Sequence, residues 1–303
     1  MQGNLNLQLS DMAVVPIISI GMPVFNGAQF IQNALDSLLS QTVTDFELII
    51  SDNASTDETE NICRKYAEQD SRIRYVRQPR NMGSAFNFKF VLDEARGEYF
   101  LWAACDDVRS PDFIEVNFRF LSEHPEFVSS TCPNGFDDRI LDQQRLINFA
   151  LDGEPFERFV QFFNNCWASH GIFYSLVKTE VLRGCEIVGQ SFFASDWAID
   201  LYLASKGQIN RTSVGYVIFG TRGISRGSNA YKVFRNDYIE FFFPFYRLKK
   251  YVYQLTNSFT LIQKLRIVLM LAKLGIKVNF DRVYAWLYSN LYSYVTPIIH
   301  RKL

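Results

Sequence analysis

Short apolar runs alternate with helically spaced stripes through the first 120 residues of the chain. Ile17 to Met22, Phe46 to Ser51 and Ile73 to Val76 are too brief for helices and end on polar or turn-forming residues, so the pattern predicts strands. Between the first two, Phe30, Ile31, Ala34, Leu35, Leu38 and Leu39 recur at helical spacing and predict a helix over Ala28 to Leu39. Ser55-Thr56-Asp57-Glu58 offers caps for a second helix reaching Gln69, and Ser84 to Glu94 predicts a third. A fourth apolar run within Gly97 to Val108 closes on Asp106-Asp107, followed by Ser110-Pro111-Asp112 as a helix start. The alternation predicts an α/β fold, a mostly parallel central sheet flanked by helices.

In such a sheet the carboxyl ends of the strands share one edge, where ligands bind. Pro23, Asp52, Asn81 and Asp106 therefore point to one crevice, and the two adjacent carboxylates suit a divalent cation or a sugar hydroxyl, or else cap the next helix. Neither a G-x-G-x-x-G fingerprint nor a P-loop is present, which removes the main support for ordinary dinucleotide or P-loop binding.

Beyond Val128 the alternation weakens. Phe156 to Phe163 predicts a short helix, Trp167 to Ser175 a small-residue loop entering a strand, Ser195 to Ala204 an amphipathic helix stopped near Gly207, and Val214 to Phe219 a further strand. Thr221 to Asn229 reads as a polar, basic loop, and Leu261 to Phe280 as a helix with Arg266, Lys273 and Lys277 on one face.

Composition changes this picture in one respect. The net charge is −1, yet residues 241–303 carry ten Lys/Arg against the single acid Asp281. This basic, aromatic region suits an anionic bilayer surface, or else packs on its own domain or on a second copy in a homo-oligomer. The acidic remainder argues against nucleic acid as a partner. Five scattered cysteines without a C-x-x-C pair indicate neither a zinc site nor a disulfide framework, and with no signal-peptide pattern or long apolar run they predict a cytoplasmic protein without a membrane-spanning helix. Three parts are expected: a flexible leader over 1–15, a catalytic domain over 16–235 and a helical C-terminal region over 236–303.

Pro23-Val24-Phe25-Asn26, Asp52-Asn53-Ala54-Ser55-Thr56-Asp57, Asn81-Met82-Gly83, the acidic turn ending at Asp106-Asp107 and Ser195-Asp196-Trp197 stand in the order and spacing of one family. Over roughly residues 16 to 230 the chain resembles the family 2 glycosyltransferases of GT-A fold, in particular non-processive bacterial enzymes that build surface polysaccharide. The resemblance implies a nucleotide-diphosphate sugar donor held by Pro23, Phe25, Asn26, Asp52, Asn81, Gly83 and Asp106, with Asp52 on the base and Asp106 on a Mg²⁺ or Mn²⁺ ion. Asp196 takes the place of the general base of an inverting single displacement, and Asp107, His170, Arg222 and Arg226 are further candidates for acceptor or diphosphate contacts. A lipid-linked glycan acceptor and a peripheral place on the cytoplasmic face of the inner membrane go with this reading. Departures are Ala104, where many relatives have an acid, Asn53 for Asp and Ser195 for Glu. The Q-x-x-R-W motif of processive synthases is missing, since Gln263-Lys264-Leu265-Arg266 runs into Ile267. A sugar nucleotidyltransferase and a non-catalytic sugar-nucleotide-binding scaffold are the other readings; Ala104 favours the scaffold, Asp106 with Asp196 opposes it.

Overall fold

The computed structural model describes residues 15–136, 149–220 and 238–299. Most of the expected leader, and the Thr221 to Asn229 loop with Arg222 and Arg226, lie outside the described residues.

The first half runs β1 (Ile18–Val24), α1 (Ile31–Leu39), β2 (Phe46–Asp52), α2 (Thr59–Gln69), β3 (Ile73–Arg77), α3 (Ser84–Asp93), β4 (Tyr99–Trp102), β5 (Val108–Arg109) and α4 (Phe113–Glu123). There follow β6 (Phe127–Thr131), β7 (Asn134–Gly135), α5 (Pro155–Asn165), a 3₁₀ turn (Cys166–Ala168), α6 (His170–Phe173), β8 (Leu176–Lys178), α7 (Thr179–Arg183), α8 (Ser195–Lys206), β9 (Gln208–Arg211) and β10 (Val217–Ile218). The chain then forms α9 (Tyr238–Phe242), α10 (Tyr246–Leu255) and α11 (Leu261–Ile299).

A seven-stranded sheet has the order β3-β2-β1-β4-β8-β6-β9. Strands β1 to β4 are parallel, β8 is antiparallel to its neighbours β4 and β6, and β6 and β9 pair in parallel. Every residue of β2 and β4 is buried, as expected of strands covered on both faces. One face packs on α1, α2 and α4 through Ile20, Leu35, Leu48, Leu101 and Ile114. The other carries Ile49, Phe100 and Trp102 into a larger core with α3, α5 and α8. Gly21 lets α3 approach closely: a Cβ there would sit 2.7 Å from both Val91 and Phe100 side-chain atoms.

Two readings change. Trp167 to Ser175 is not a loop but a 3₁₀ turn and the helical turn α6, because Ser169 accepts from the Ile172 N–H and caps no strand. Helix α8 is not amphipathic, since Trp197 to Ala204 are all buried. The face expected to meet water is covered by α10, whose Leu248, Tyr251 and Val252 enter the same core together with Ile267, Leu271 and Val278 of α11. The C-terminal helices are thus docked on the α/β body. Among the described residues no helix is long and apolar enough to cross a membrane.

A candidate donor and acceptor cavity

Two strand-end loops are stitched into one wall. Asn26 donates its N–H to Ser55 Oγ (2.8 Å) and its side-chain oxygen accepts from the Thr56 N–H (2.8 Å). Gly27 N–H reaches Thr59 Oγ1 at 2.9 Å, and Ala28 N–H reaches Asp57 Oδ2 at 3.1 Å. Asn26 and Ala54 hold left-handed backbone, φ 53° and 61°, so the stitching keeps two non-glycine residues in a conformation that each avoids in isolation. Phe25 is left exposed beside it. The third loop is tied in by Asn53, whose Nδ2 donates to Asn81 Oδ1 (3.0 Å) while its Oδ1 accepts from the Met82 N–H (2.8 Å). An aspartate could accept here but not donate, which accounts for the amide.

The acidic turn has a floor of its own. Strand β10 lies between β5 and β7 in a small three-stranded sheet, and the Gly220 N–H just past it donates to Asp107 Oδ1 at 3.1 Å. Asp106 lies so close over Gly220 that a Cβ there would fall 1.9 Å from Asp106 Oδ2. The two acids divide: Asp106 is half-buried on the cavity wall, and Asp107 is buried with its Oδ2 3.9 Å from Arg109 Nη2. Burial pushes the Asp107 carboxyl up, and the Arg109 guanidinium opposes this. Neither acid caps the following helix, which starts at Asp112 with no side-chain cap bond.

The opposite wall is α8. Ala194, at φ 65°, takes its N-cap position, so Asp196 is free of capping duty. The Asp196 side chain is open to water yet enclosed by the cavity, and this partial desolvation raises its carboxyl above the ordinary range, against the pull of the Trp197 N–H and of His170. The Tyr174 hydroxyl is pushed far up by burial, with Asp107, Asp106 and Asp196 all adding to the shift, so it stands protonated among the three carboxylates. Aromatic rings complete this side: Trp102 stacks on Phe173 at 4.7 Å and 11°, and Trp197 on Phe245 at 5.4 Å and 14°.

Pro23, Phe25, Asn26, Asp106, His170 and Asp196 line one cavity of about 780 Å³. Four sequence candidates are not on its lining: Asp107, buried as described above, and Asp52, Asn81 and Gly83. Asp52 is fully buried, one oxygen accepting from the Ser55 N–H (2.8 Å) and the other from Tyr75 Oη (2.8 Å) and Arg77 Nη1 (2.8 Å), so its charge is spent on shaping the loop. Asn81 and Gly83 are exposed on the neighbouring loop. Sequence reasoning named Asn53 only as a departure from the family, and missed Tyr174, Gly220, Asp200 and Phe245. Only Asp200 carried a signal, its spacing of four from Asp196 on a predicted helix.

Among the described residues no group of three or more His, Cys, Asp or Glu could hold a metal ion by itself. Asp106, on the cavity lining, is one carboxylate, and magnesium is commonly held by one or two carboxylates together with substrate phosphates.

The putative teichuronic acid biosynthesis glycosyltransferase TuaG of Bacillus subtilis is 30% identical over 170 residues, 56% of this chain and 60% of that one. Matched segments span between 15% and 60% of the curated relatives' lengths. Among solved structures, S. aureus TarS in complex with UDP-GlcNAc superposes with a TM-score of 0.60 at 18% identity, covering 84% of this chain and 70% of that one. A mannosyltransferase from Pyrobaculum calidifontis, in complex with GDP-Man and Mn²⁺, gives 0.52 at 18% identity over 74% and 61%. At these identities the structures speak for the GT-A fold. Residues 19–179 match the family described as Glycosyl transferase family 2, more than half of the chain, and the protein belongs to that family.

Proposed function

We propose that this glycosyltransferase moves a sugar with inversion from a nucleoside-diphosphate donor to a hydroxyl of a glycan acceptor carried on polyprenyl diphosphate, in the assembly of a bacterial surface polysaccharide. The observation that carries the reading is the placement of Asp106 and Asp196 on different walls of one cavity, with the stitched Pro23 to Asn26 turn at its edge. Pro23, Phe25 and Asn26 hold the nucleoside. A Mg²⁺ or Mn²⁺ ion shared by Asp106 and the donor diphosphate would supply Lewis-acid stabilisation of the leaving group. Asp196 accepts the proton of the acceptor hydroxyl as its oxygen bonds to the anomeric carbon, while the bond to the diphosphate breaks and the electron pair leaves with it. General base action of this kind contributes about 10²- to 10⁴-fold. TuaG, by its name an enzyme of teichuronic acid synthesis, and TarS, which binds UDP-GlcNAc, support the donor and polymer class.

Attachment to the inner membrane surface belongs to the same proposal. Leu261, Leu265, Leu269, Ile276 and Phe280 stand exposed along one side of α11. Arg266 and Lys277 border this stripe, resting over the rings of Phe156 and Trp167. Apolar area flanked by cations suits an anionic interface.

Thermal stabilisation by UDP-, GDP- and dTDP-sugars, with and without Mn²⁺, tests the donor reading on the wild type and Asp106→Ala. A donor at 100 times its Kd adds about 2.7 kcal/mol. A metal-dependent shift that Asp106→Ala loses is expected. No shift with any donor would defeat the reading.

A further inference from the structure

Two of the rings on the cavity lining are nearly half-open to solvent, Phe25 at 46% and Trp167 at 47%. Phe25 belongs to the turn given above to the nucleoside, whereas Trp167, in the 3₁₀ turn after α5, has no part in the mechanism. The Trp167 ring stands edge-on to Trp197 at 5.0 Å, and Trp197 directly follows Asp196 on α8. A ligand ring laid on Trp167 is therefore one ring away from the residue that carries the base. Its indole N–H donates to no other described residue. An exposed ring of this kind offers an apolar body with a polar tip, and a sugar matches it with a face of C–H groups and a rim of hydroxyls.

Trp167 also meets the C-terminal region. Lys277 of α11 is not on the cavity lining, yet its ammonium stands 5.6 Å from the centroid of the Trp167 ring. Lys273 lies one turn earlier on the same helix face. Both lysines are exposed, and among the described residues, Asp281 included, neither forms a hydrogen bond or an ion pair. Ile276 and Phe280, each 71% exposed, stand beside Lys277 on α11.

These contacts set an order in space: the Asp196 carboxylate, the rings of Trp197 and Trp167, the Lys277 ammonium, then bare apolar side chains. A lipid-linked glycan presents its groups in the same order, a hydroxyl, a sugar ring, a diphosphate and a hydrocarbon. Ammonium groups take phosphate oxygens in charge-assisted hydrogen bonds. The donor diphosphate belongs with Asp106 on the cavity lining, so a lysine off that lining is left for a second phosphate group.

We propose that Trp167 and Lys277 form the acceptor subsite, Trp167 carrying the sugar joined to the diphosphate, Lys277 receiving the diphosphate, and Ile276 with Phe280 meeting the first prenyl units. The inference rests on the lipid-linked acceptor of the reading above and names where that acceptor is held.

The test titrates farnesyl diphosphate, and farnesyl diphosphate bearing a single glucose, galactose or GlcNAc, into the full chain with its donor site filled by UDP or GDP, whichever binds. Wild type, Lys277→Ala, Trp167→Ala and Trp167→Phe are compared. Farnesyl diphosphate should bind the wild type, and Lys277→Ala should weaken it about fivefold, the worth of one exposed charge-assisted contact. At least one of the three sugars should tighten binding further. Trp167→Ala should lose that gain, and Trp167→Phe, which keeps a ring, should retain most of it. The inference is overturned by farnesyl diphosphate that does not bind or binds Lys277→Ala equally well, by a gain that survives in Trp167→Ala, or by no gain with any of the three sugars. A Lys277→Ala loss confined to phosphatidylglycerol vesicles would assign the lysine to the bilayer surface and overturn it too. In each of these cases a nucleotide that still binds leaves the donor reading standing, while a chain that binds neither nucleotide fells both. Lys277 is a surface residue, so the diphosphate arm decides the matter even if Trp167→Ala fails to fold.

Discussion

The two sides of the cavity are built by different physics. The strand-end side is held by hydrogen bonds among short polar groups: Asn26 to Ser55 and Thr56, Gly27 to Thr59, Asn53 to Asn81 and Met82. The other side, around α6 and α8, is held by rings: Phe173 stacked on Trp102 of β4, Trp197 on Phe245, and Trp167 edge-on to Trp197 at 5.0 Å and 79°. Hydrogen bonds fix distance and direction, and ring packing fixes volume. A nucleoside diphosphate keeps its shape whatever sugar it carries, so a directional wall suits it. Sugars differ in shape, so a wall that can be resized by changing one ring suits them.

Three variants would sharpen or break this contrast. Asp196→Asn should lower turnover by about 10²- to 10⁴-fold in a transfer assay while nucleotide affinity holds. Because the Asp196 carboxyl is raised, the acid limb of the wild-type pH profile should lie above the ordinary aspartate range, with activity falling as pH drops through it. The same raised carboxyl favours the folded state when protonated, so its contribution to stability is full below the unfolded aspartate value and is lost as pH rises through the folded one. Phe245→Ala should cost about 3–5 kcal/mol in denaturant unfolding, because the ring is fully buried on Trp197. It should weaken discrimination among sugars more than nucleotide binding, and an equal loss of both would erase the contrast. Asn53→Asp should cost about 1–3 kcal/mol, since a carboxylate would face the Asn81 and Gly83 oxygens. Its carboxyl would be raised there, so stability should recover as pH falls through that value, and nucleotide affinity should drop with sugar preference unchanged.

The strand-end side was legible because its signals are local. Short apolar runs and period-3.6 stripes pointed to β1 to β4 and their helices, and the rule that parallel strands share a carboxyl edge brought Pro23 and Asp106 to one place. Asp196 was legible as an acid at a helix start. The burial of Asp52 was not, because its partners Tyr75 and Arg77 come from the next strand and nothing in the Asp52 loop announces them. Asp107 could not be separated from Asp106 without β10, whose Gly220 lies 113 residues away. The covering of α8 was hidden for the same reason. Composition drew a boundary near residue 235, while packing runs straight across it through Phe245, Leu248 and Tyr251.

Phe245 bears on how such chains could be recombined. Residues after 236 look like a detachable cassette, the place where a tail would be trimmed or exchanged between relatives. Yet the segment delivers a ring to the cavity wall. A chimera joined there would take one ring of its cavity wall from the tail donor, and a chain trimmed there would keep Asp106 and Asp196 while losing the ring that stacks on Trp197.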